Sequence, residues 1–509
     1  MARFTDRIRN SSSYKWLVLG VIMIGTFMAV LDITVVNVGI PTIMEVFHTT
    51  ISTAEWVITA YMITMTVMLP SAGWIADKWG NKRIYLLGMV LFTLGSWLCG
   101  RSSTDMFLIA SRALQGIGGG IIQALGLAIV SREFTPQQRP VALGLWSVAA
   151  AASISFGPLL GGFLVDDYSW HLIFDINVPI GILGIAATAV IQREWKRPDI
   201  GKFDYWGFIL VAIFMPLLVY GLARGNSTGN PRGWSAPEVI VSFAAGGLAL
   251  AAFIAAELKI RNPLLNIRLL GERNFGISNM VLAIFGMGMF GGTYLLPLFM
   301  QKGLDYTAIM AGSVFLPVGL IQGVLALSSG FIVKRTGALP PVFAGLLIMA
   351  ASFWLASRFT ADTVHRQIMV VLYLRGFGMG LVFAPLNVFA LKHLAQKDMA
   401  DAAGITNSIK QIFGSISVAL LTTILTAREG VHRALGAADS RTAFIDGITD
   451  DFRLVSILMV VSLAPFLLLL RKRRACPDGY RCGRGVSPAA GNTAPPASSG
   501  TDGDAGTDK

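Results

Sequence analysis

Long apolar runs separated by short polar connections dominate this sequence. Only 14% of the residues are charged and 54% are hydrophobic, whereas a soluble domain carries about 25% charged residues. Fourteen runs are long enough to cross a bilayer, at residues 16–40, 55–76, 84–100, 106–130, 141–165, 171–191, 204–223, 237–256, 275–300, 307–331, 339–358, 366–391, 403–426 and 453–470. We therefore predict an all-α polytopic membrane protein with fourteen transmembrane helices, because a spanning helix satisfies its own backbone in lipid.

The distribution of Lys and Arg predicts the orientation in the membrane. If the N-terminus is cytoplasmic, the connections and tails on that side hold 28 Lys and Arg residues, and the opposite side holds 10. Cytoplasmic loops carry this excess in membrane proteins, so we place both termini in the cytoplasm and the protein in the cytoplasmic (inner) membrane. The net charge of +12 thus belongs to loops and tails, and it does not indicate nucleic-acid binding. Three scattered cysteines predict neither a disulfide framework nor a metal site.

An internal repeat suggests two related halves. Residues 114–120 read L-Q-G-I-G-G-G, and residues 374–380, 260 positions downstream, read L-R-G-F-G-M-G. Residues 73–80 have a fainter copy at 330–337. Such repeats are typical of transporters, so we predict two six-helix bundles of the major facilitator fold with two extra central helices. The predicted parts are a cytoplasmic N-terminus (1–15), a first bundle (16–191), two linking transmembrane helices (192–274), a second bundle (275–470) and a disordered cytoplasmic tail (471–509).

The connection between the second and third runs is short, basic and rich in glycine. It reads G-W-I-A-D-K-W-G-N-K-R at residues 73–83. We expect Gly80 to supply a tight turn and Gly73 to let two helices approach closely. The charged residues are expected to form a network with a neighbouring helix end. The gating residues predicted in this loop are Gly73, Asp77, Lys78, Gly80, Lys82 and Arg83.

A few charged residues lie within the predicted spans. Asp32 is inside the first run, where a carboxylate is expensive and normally faces a cavity or a partner. Burial and a nearby cation shift a carboxyl pKa in opposite directions, so Asp32 could bind and release a proton near neutral pH; the alternative is a packing role near a helix kink. Arg112 is always charged and could tune that carboxyl group, or extend its side chain to the surface. Asp175 is either an outer-vestibule residue, the favoured reading, or a second titrating group.

Small and polar residues in other spans predict a hinge and a cavity. Gly157, Pro158, Gly161 and Gly162 fall late in the fifth run. They indicate a kinked, closely packed helix, which either seals two conformations or simply packs. The candidate lining of a substrate cavity is Asn37, Gln115, Arg375 and Lys410. The two cations among these could instead bond to backbone carbonyl groups.

Taken together, these motifs resemble the major facilitator superfamily, and specifically its fourteen-span drug/proton antiporter branch, up to about residue 474. The first-run L-D-I-T-V-V-N-V-G-I-P is similar to that branch's motif, with Asp32 at its acidic position. The loop at 73–83, the R-A-L-Q-G segment at 112–116, the G-P-L-L-G-G segment at 157–162 and the N-V-P-I-G segment at 177–181 also match. Two positions depart from the pattern: Asp175 stands where relatives usually carry an aromatic or apolar residue, and Lys334 stands opposite Asp77.

The resemblance implies a secondary exporter that removes small hydrophobic or cationic drugs in exchange for protons. It needs no cofactor, because the proton gradient supplies the energy, and a periplasmic adaptor protein is an expected partner if the source has two membranes. The alternative within transport is proton-coupled export of one endogenous metabolite, peptide or siderophore. A membrane-embedded enzyme or a sensor is a remote alternative, since no HExxH motif or P-loop is present.

Overall fold

The computed structural model describes residues 13–135, 138–196, 203–225, 230, 232–260, 263–391, 394, 399–437 and 439–465, and their regular elements are all helices. The first seven long helices are α1 (Tyr14–Val46), α2 (Ile51–Trp79), α3 (Asn81–Cys99), α4 (Asp105–Glu133), α5 (Arg139–Asp167), α6 (Asn177–Ile191) and α7 (Tyr205–Gly225). The others are α8 (Pro237–Lys259), α9 (Arg273–Leu298), α10 (Leu316–Thr336), α11 (Leu339–Ala356), α12 (His365–Leu391), α13 (Met399–Ala434) and α14 (Ser440–Val461). Short helices at Leu172–Asp175 and Ala308–Ser313 lead into α6 and α10.

Twelve helices in the described residues are long and apolar enough to cross a membrane. This finding supports the predicted polytopic membrane protein, but it does not confirm the count of fourteen. The helices outside the twelve are α5, which includes side chains that the structure does not describe, and α14. Between residues 441 and 453, α14 carries Arg441, Asp446, Asp450, Asp451 and Arg453, and charges at that density are expensive in hydrocarbon.

The connection between the last two helices is much shorter than the sequence suggested. We expected an external loop at 427–452, but α13 continues to Ala434 and α14 begins at Ser440. In the sequence, the acidic and basic residues of this segment resemble a solvated loop. In the structure, their side chains form ion pairs with one another. Asp450 accepts from Arg428 at 2.9 Å, from His432 at 3.1 Å and from Arg453 at 3.2 Å. This pairing lets the charged segment remain helical.

Each half is built around a glycine-rich helix that packs between two neighbours. In the first half α4 lies against α2 and α3, and in the second half α12 lies against α10 and α11. A Cβ atom at Gly118 would lie 2.6 Å from the Gly88 carbonyl oxygen, and one at Gly378 would lie 3.0 Å from the Gly345 carbonyl oxygen. The repeated glycines therefore make the same close helix crossing in both halves, since a side chain at either position would push the backbones apart.

The two halves meet along two seams. Helix α5 packs against the short helix Ala308–Ser313 and α10, while α2 packs against α13. The central helices lie beside the second seam: α7 contacts both α2 and α13, and α8 packs mainly against α7. We call the end of the bundle that holds the α2–α3 connection the Gly80 side. The opposite end, where the ring of Trp170 contacts Phe47 with their centroids 5.4 Å apart, is the Trp170 side.

Candidate functional site

Asp32 lies on α1 at the centre of a buried polar cluster. Its side chain is fully buried, and each carboxyl oxygen accepts hydrogen bonds. Oδ2 accepts from Arg112 Nη1 at 2.5 Å, whereas Oδ1 accepts from Gln115 Nε2 at 2.8 Å and from Asn177 Nδ2 at 3.1 Å. Helices α1, α4 and α6 thus bring together residues separated by up to 145 positions in the chain. Such charge-assisted contacts can hold an ionised carboxylate in a buried site.

Arg112 is as deeply buried as Asp32, and most of its N–H groups donate hydrogen bonds to other groups of the protein. Its Nε atom donates to the Val57 carbonyl oxygen at 2.8 Å, and Nη1 also donates to Gln115 Oε1 at 2.7 Å. The guanidinium lies over the ring of Tyr61, 4.3 Å from its centroid. The alternative in which Arg112 extends to the surface is therefore wrong. The side chain forms an internal ion pair, which offsets part of the cost of burying its charge.

The sequence predicted Asp32, Arg112 and Gln115 as site residues, but it did not predict Ser96 or Asn177. Ser96 on α3 accepts from Gln115 Nε2 and from Asn177 Nδ2, each at 3.1 Å, and donates to the Phe174 carbonyl oxygen at 2.8 Å. Asn177 had been noted only as part of a matched segment, without a role. A serine and an asparagine in apolar runs give no signal of their own, since such residues often bond to the backbone of their own helix.

The second half carries a buried cation without a carboxylate. The repeat offset of 260 residues places Arg375 opposite Gln115, and Gly292 opposite Asp32. Arg375 is 1% exposed and donates from Nη2 to the Met289 carbonyl oxygen and to Thr293 Oγ1, each at 2.6 Å. Its Nε and Nη1 atoms have no hydrogen-bond partner among the described residues. A Cβ atom at Gly292 would lie 3.0 Å from the Arg375 guanidinium carbon, so glycine makes room for the cation.

The other predicted site residues lie apart from the Asp32 cluster. Asp175 forms an ion pair with Arg101 at 2.9 Å near the surface of the Trp170 side, which agrees with the outer position that we favoured. Asn37 is buried, and its Oδ1 atom has no partner among the described residues. Lys410 is half-buried, with Nζ 3.4 Å from Asn407 Oδ1 and 4.8 Å from the centroid of Phe383. The cavity role of these residues remains a prediction.

The loop at 73–83 is a one-residue turn that docks on the chain after α6. Gly80 has φ = +114°, a conformation that favours glycine, and Gly337 ends α10 in the second half with φ = +79°. Lys82 N donates to Glu194 Oε1 at 3.2 Å, and Arg83 Nε lies 3.4 Å from Glu194 Oε2. The expected turn is present, and of the expected charge network the structure contains the pair of Arg83 with Glu194.

Two details of this loop differ from expectation. Gly73 is exposed, and a Cβ atom there would have no neighbour within 4 Å. The prediction that Gly73 lets two helices approach closely is therefore wrong for this conformation. Asp77 is 3.9 Å from Arg132 Nη2, which is a loose ion pair, while Lys78 lies over the ring of Trp74. The glutamate that anchors the loop lies outside the motif and was not predicted.

The glycine-rich end of α5 lies in the seam between the halves. A Cβ atom at Gly161 would lie 2.9 Å from the Val35 carbonyl oxygen of α1, and one at Gly162 would lie 2.5 Å from the Ile309 Cα atom of the second half. Gly157 faces Thr34, and a Cβ atom at Gly312 would contact the Pro158 backbone. These small residues therefore let α5 approach both halves closely at the Trp170 side.

Polar contacts also cross this seam near a pocket of about 620 Å³. Asp166 accepts from the backbone N–H groups of Ala308 at 3.1 Å and of Ile309 at 2.6 Å. Gln301 Nε2 donates to the Val38 carbonyl oxygen at 2.9 Å. The pocket lies on the Trp170 side, and both halves contribute to its lining. None of the predicted cavity residues lines it, since Asn37, Gln115, Arg375 and Lys410 lie deeper in the bundle.

Comparisons with known proteins agree with this architecture. The family model of the Major Facilitator Superfamily matches residues 22–418. The chain is 32% identical to the multidrug export protein EmrB of Escherichia coli (strain K12) over 414 residues, covering 81% of this chain and 80% of that protein. It is 28% identical over 421 residues to the multidrug transporter protein MdtP of Bacillus subtilis (strain 168), covering 83% of this chain and 77% of that protein.

A solved structure shares the fold. It is that of a bacterial homologue of the human lysosomal transporter Spinster, in an inward-facing and unoccupied conformation. The match covers 92% of this chain and 100% of that chain, with a TM-score of 0.66 and 15% sequence identity. The family model across most of the chain, the curated relatives and the helical bundle agree: this multi-pass membrane protein is a transporter of the Major Facilitator Superfamily and not an enzyme.

Proposed function

We propose that the protein is a proton-coupled antiporter that exports small hydrophobic or cationic compounds across the cytoplasmic membrane. The name of its relative EmrB, a multidrug export protein, supports the substrate class. In this proposal the Gly80 side and both termini face the cytoplasm, as the excess of Lys and Arg indicates. Asp32 is the residue that binds and releases the coupled proton.

The single observation that carries the proposal is the sealed ion pair of Asp32 and Arg112. Arg112 keeps its charge, so only the carboxyl group can change its charge in this pair. Protonation would replace an ion pair by an uncompensated guanidinium, and breaking a buried pair in this way costs several kcal/mol. A site in which one proton has so large an effect can bias the equilibrium between two conformations of the bundle.

The seam contacts support alternation between two such conformations. All of the contacts described above between α5 and the second half involve the Trp170 end of α5. Farther towards the Gly80 side, α5 exposes Val141 and α10 exposes Leu327. This arrangement fits a transporter closed on the Trp170 side, in which Asp32 exchanges its proton with the cytoplasm as the substrate enters. Separation of the seam would then expose the site to the exterior.

Proton release from the purified protein tests the role of Asp32. The lipophilic cation ethidium is added to the protein in weakly buffered detergent solution, and the pH change is recorded. The parent should release protons as the cation binds, and Asp32→Asn, which imitates the protonated form, should release none. In proteoliposomes the same variant should lose uphill transport of ethidium that is driven by a pH gradient without ATP.

Asp175→Asn is the matched control, because Asp175 forms its ion pair with Arg101 near the surface. This variant should release as many protons as the parent. If Asp32→Asn still releases protons and concentrates ethidium, Asp32 is not the coupling residue. If the parent transports ethidium only when ATP is added, or not at all, antiport of this class of compound is refuted.

A further inference from the structure

A second acidic residue is buried in the seam between α2 and α13. Glu55 lies one turn into α2 and is fully buried. Neither of its carboxyl oxygens has a hydrogen-bond partner among the described residues. This environment contrasts with that of Asp32, whose two oxygens receive three hydrogen bonds. No motif of the sequence and no part of the proposed antiport mechanism accounts for Glu55.

The neighbours of Glu55 belong to the second half. Thr422 of α13 and Tyr294 of α9 lie close to its carboxyl group, and the Thr422 hydroxyl approaches the carboxyl group without the geometry of a hydrogen bond. The Thr422 hydroxyl donates to the Val418 carbonyl oxygen at 2.9 Å and lies 3.3 Å from the Tyr294 hydroxyl. On the other side, Trp56 contacts the ring of Tyr220 on α7. The carboxyl group of the first half is thus enclosed by helices of the second half and by α7.

The charged side chains on the packed helices do not neutralise Glu55. Arg428 of α13 forms an ion pair with Asp450, and Glu429 forms one with Arg433. Arg224 is the cation at this end of α7. Among the described residues, neither these cations nor any other Lys, Arg or His forms an ion pair with Glu55. Asp451 of α14 is the other acidic residue that acts electrostatically on Tyr294.

An ionised carboxylate without a donor is strongly disfavoured in such a site, whereas a neutral carboxyl group is tolerated. If the halves separate on the Trp170 side, water reaches Glu55 and the ionised form becomes acceptable. We infer that Glu55 is a proton-binding site in the seam between the halves, and that binding of a proton there closes the Trp170 side. The inference rests on the alternation in the proposed function, but it requires no role of Asp32.

Asp451 provides a matched comparison within the same chain. It is also fully buried, and its two carboxyl oxygens also lack partners among the described residues. However, α14 packs against α9, α11 and α13, which all belong to the second half. Separation of the halves therefore leaves the helices that pack against Asp451 in place. Two buried carboxyl groups of the same kind thus differ in whether they lie in the seam.

The distance between the halves on the Trp170 side measures directly whether proton binding at Glu55 closes that side. Spin labels are attached to Val46→Cys and Leu435→Cys, two exposed positions on opposite halves, in the full chain without its three native cysteines. Double electron–electron resonance spectroscopy then records the distance between the two labels in the absence of substrate, at pH values from 5.5 to 8.5. Because opening releases one proton, the ratio of open to closed molecules should rise by up to tenfold per pH unit.

Four variants decide between the explanations. Glu55→Gln should remain closed at every pH, and Glu55→Leu, which is apolar and of similar volume, should do the same if the glutamine variant does not fold. Asp451→Asn, the matched control, should keep the response of the parent. The inference is overturned if the parent shows no pH response, if both Glu55 variants keep it, or if Asp451→Asn abolishes it. Loss of the response in Asp32→Asn alone would refute the Glu55 site while leaving the proposed antiport intact.

Discussion

Replacement of the two buried arginines by methionine should have very different effects on stability. Among the residues that the structure describes, Arg112 is the only donor to Asp32 Oδ2, because Gln115 and Asn177 both donate to Oδ1, and Arg112→Met removes it. A buried carboxylate is then left without its cation, and a change of this kind costs about 3–5 kcal/mol. We therefore expect the free energy of unfolding of Arg112→Met to fall by that amount at neutral pH.

Arg375→Met should cost about 1 kcal/mol or less, although it deletes an equally buried side chain. Arg375 has no carboxylate partner among the described residues, and two of its nitrogens lack partners. The Met289 carbonyl oxygen that it contacts also accepts from the Thr293 hydroxyl at 2.7 Å, and that bond survives the substitution. The loss of its hydrogen bonds is thus offset by the removal of an uncompensated buried charge.

Unfolding of the purified variants in mixed detergent micelles, followed by circular dichroism, measures the difference. The difference in unfolding free energy between Arg112→Met and Arg375→Met should narrow as the pH falls, because a protonated Asp32 no longer needs a cation. The double variant Asp32→Leu/Arg112→Met is the control and should recover most of the stability, since well-packed apolar side chains can replace a buried ion pair. Equal losses in the two arginine variants, or a larger loss in Arg375→Met, would refute this account of the buried charges.

Three further predictions concern helix packing, the Gly80 loop and one helix start. Gly118→Ala should lower the unfolding free energy by about 1–3 kcal/mol, because its Cβ atom would meet the α3 backbone, whereas Gly247→Ala, with nothing within 4 Å, should not. Asp77→Asn should insert normally but slow transport of ethidium in proteoliposomes; normal transport at equal expression would contradict this. A hydrogen bond from the Thr442 N–H group lowers the pKa of Asp439 at the start of α14. Its stabilising effect is present above the ordinary aspartate pKa and is lost as the pH falls through the lowered value, so Asp439→Asn should remove this acid dependence of unfolding.

The sequence predicts the features that depend on local pattern. Apolar length predicted the helices, and the repeated glycines that predicted two related halves coincide with the close crossings at Gly118 and Gly378. The pairing of Asp32 with Arg112 could also be predicted, because a carboxylate and a cation within spans both need partners. These inferences succeed because each feature constrains the structure in one way. Hydrophobic length fixes the spans, glycine spacing allows close helix packing, and a buried charge requires a compensating partner.

Features that depend on distant contacts could not be predicted. Glu55 occupies the start of an apolar run, where a glutamate usually reaches water, and its burial is caused by α13, which is more than 340 residues away in the chain. Likewise, the charged start of α14 resembled a loop because its pairing with α13 is invisible in the linear sequence. At Gly73 the sequence predicted a contact that is absent. A glycine there suggested a close approach of two helices, but the residue is exposed in this conformation.

The arginine that lies against Gly292 has a consequence for the response of the protein to membrane voltage. With Asp32 ionised, the pair in the first half is electrically neutral, whereas Arg375 in the second half has no carboxylate partner among the described residues. If Asp32 binds a proton, the charge of Arg112 also becomes uncompensated. A membrane potential acts on each elementary charge with about 2.3 kcal/mol per 100 mV across the whole membrane. The conformational equilibrium of the protonated protein should therefore depend more steeply on voltage than that of the deprotonated protein.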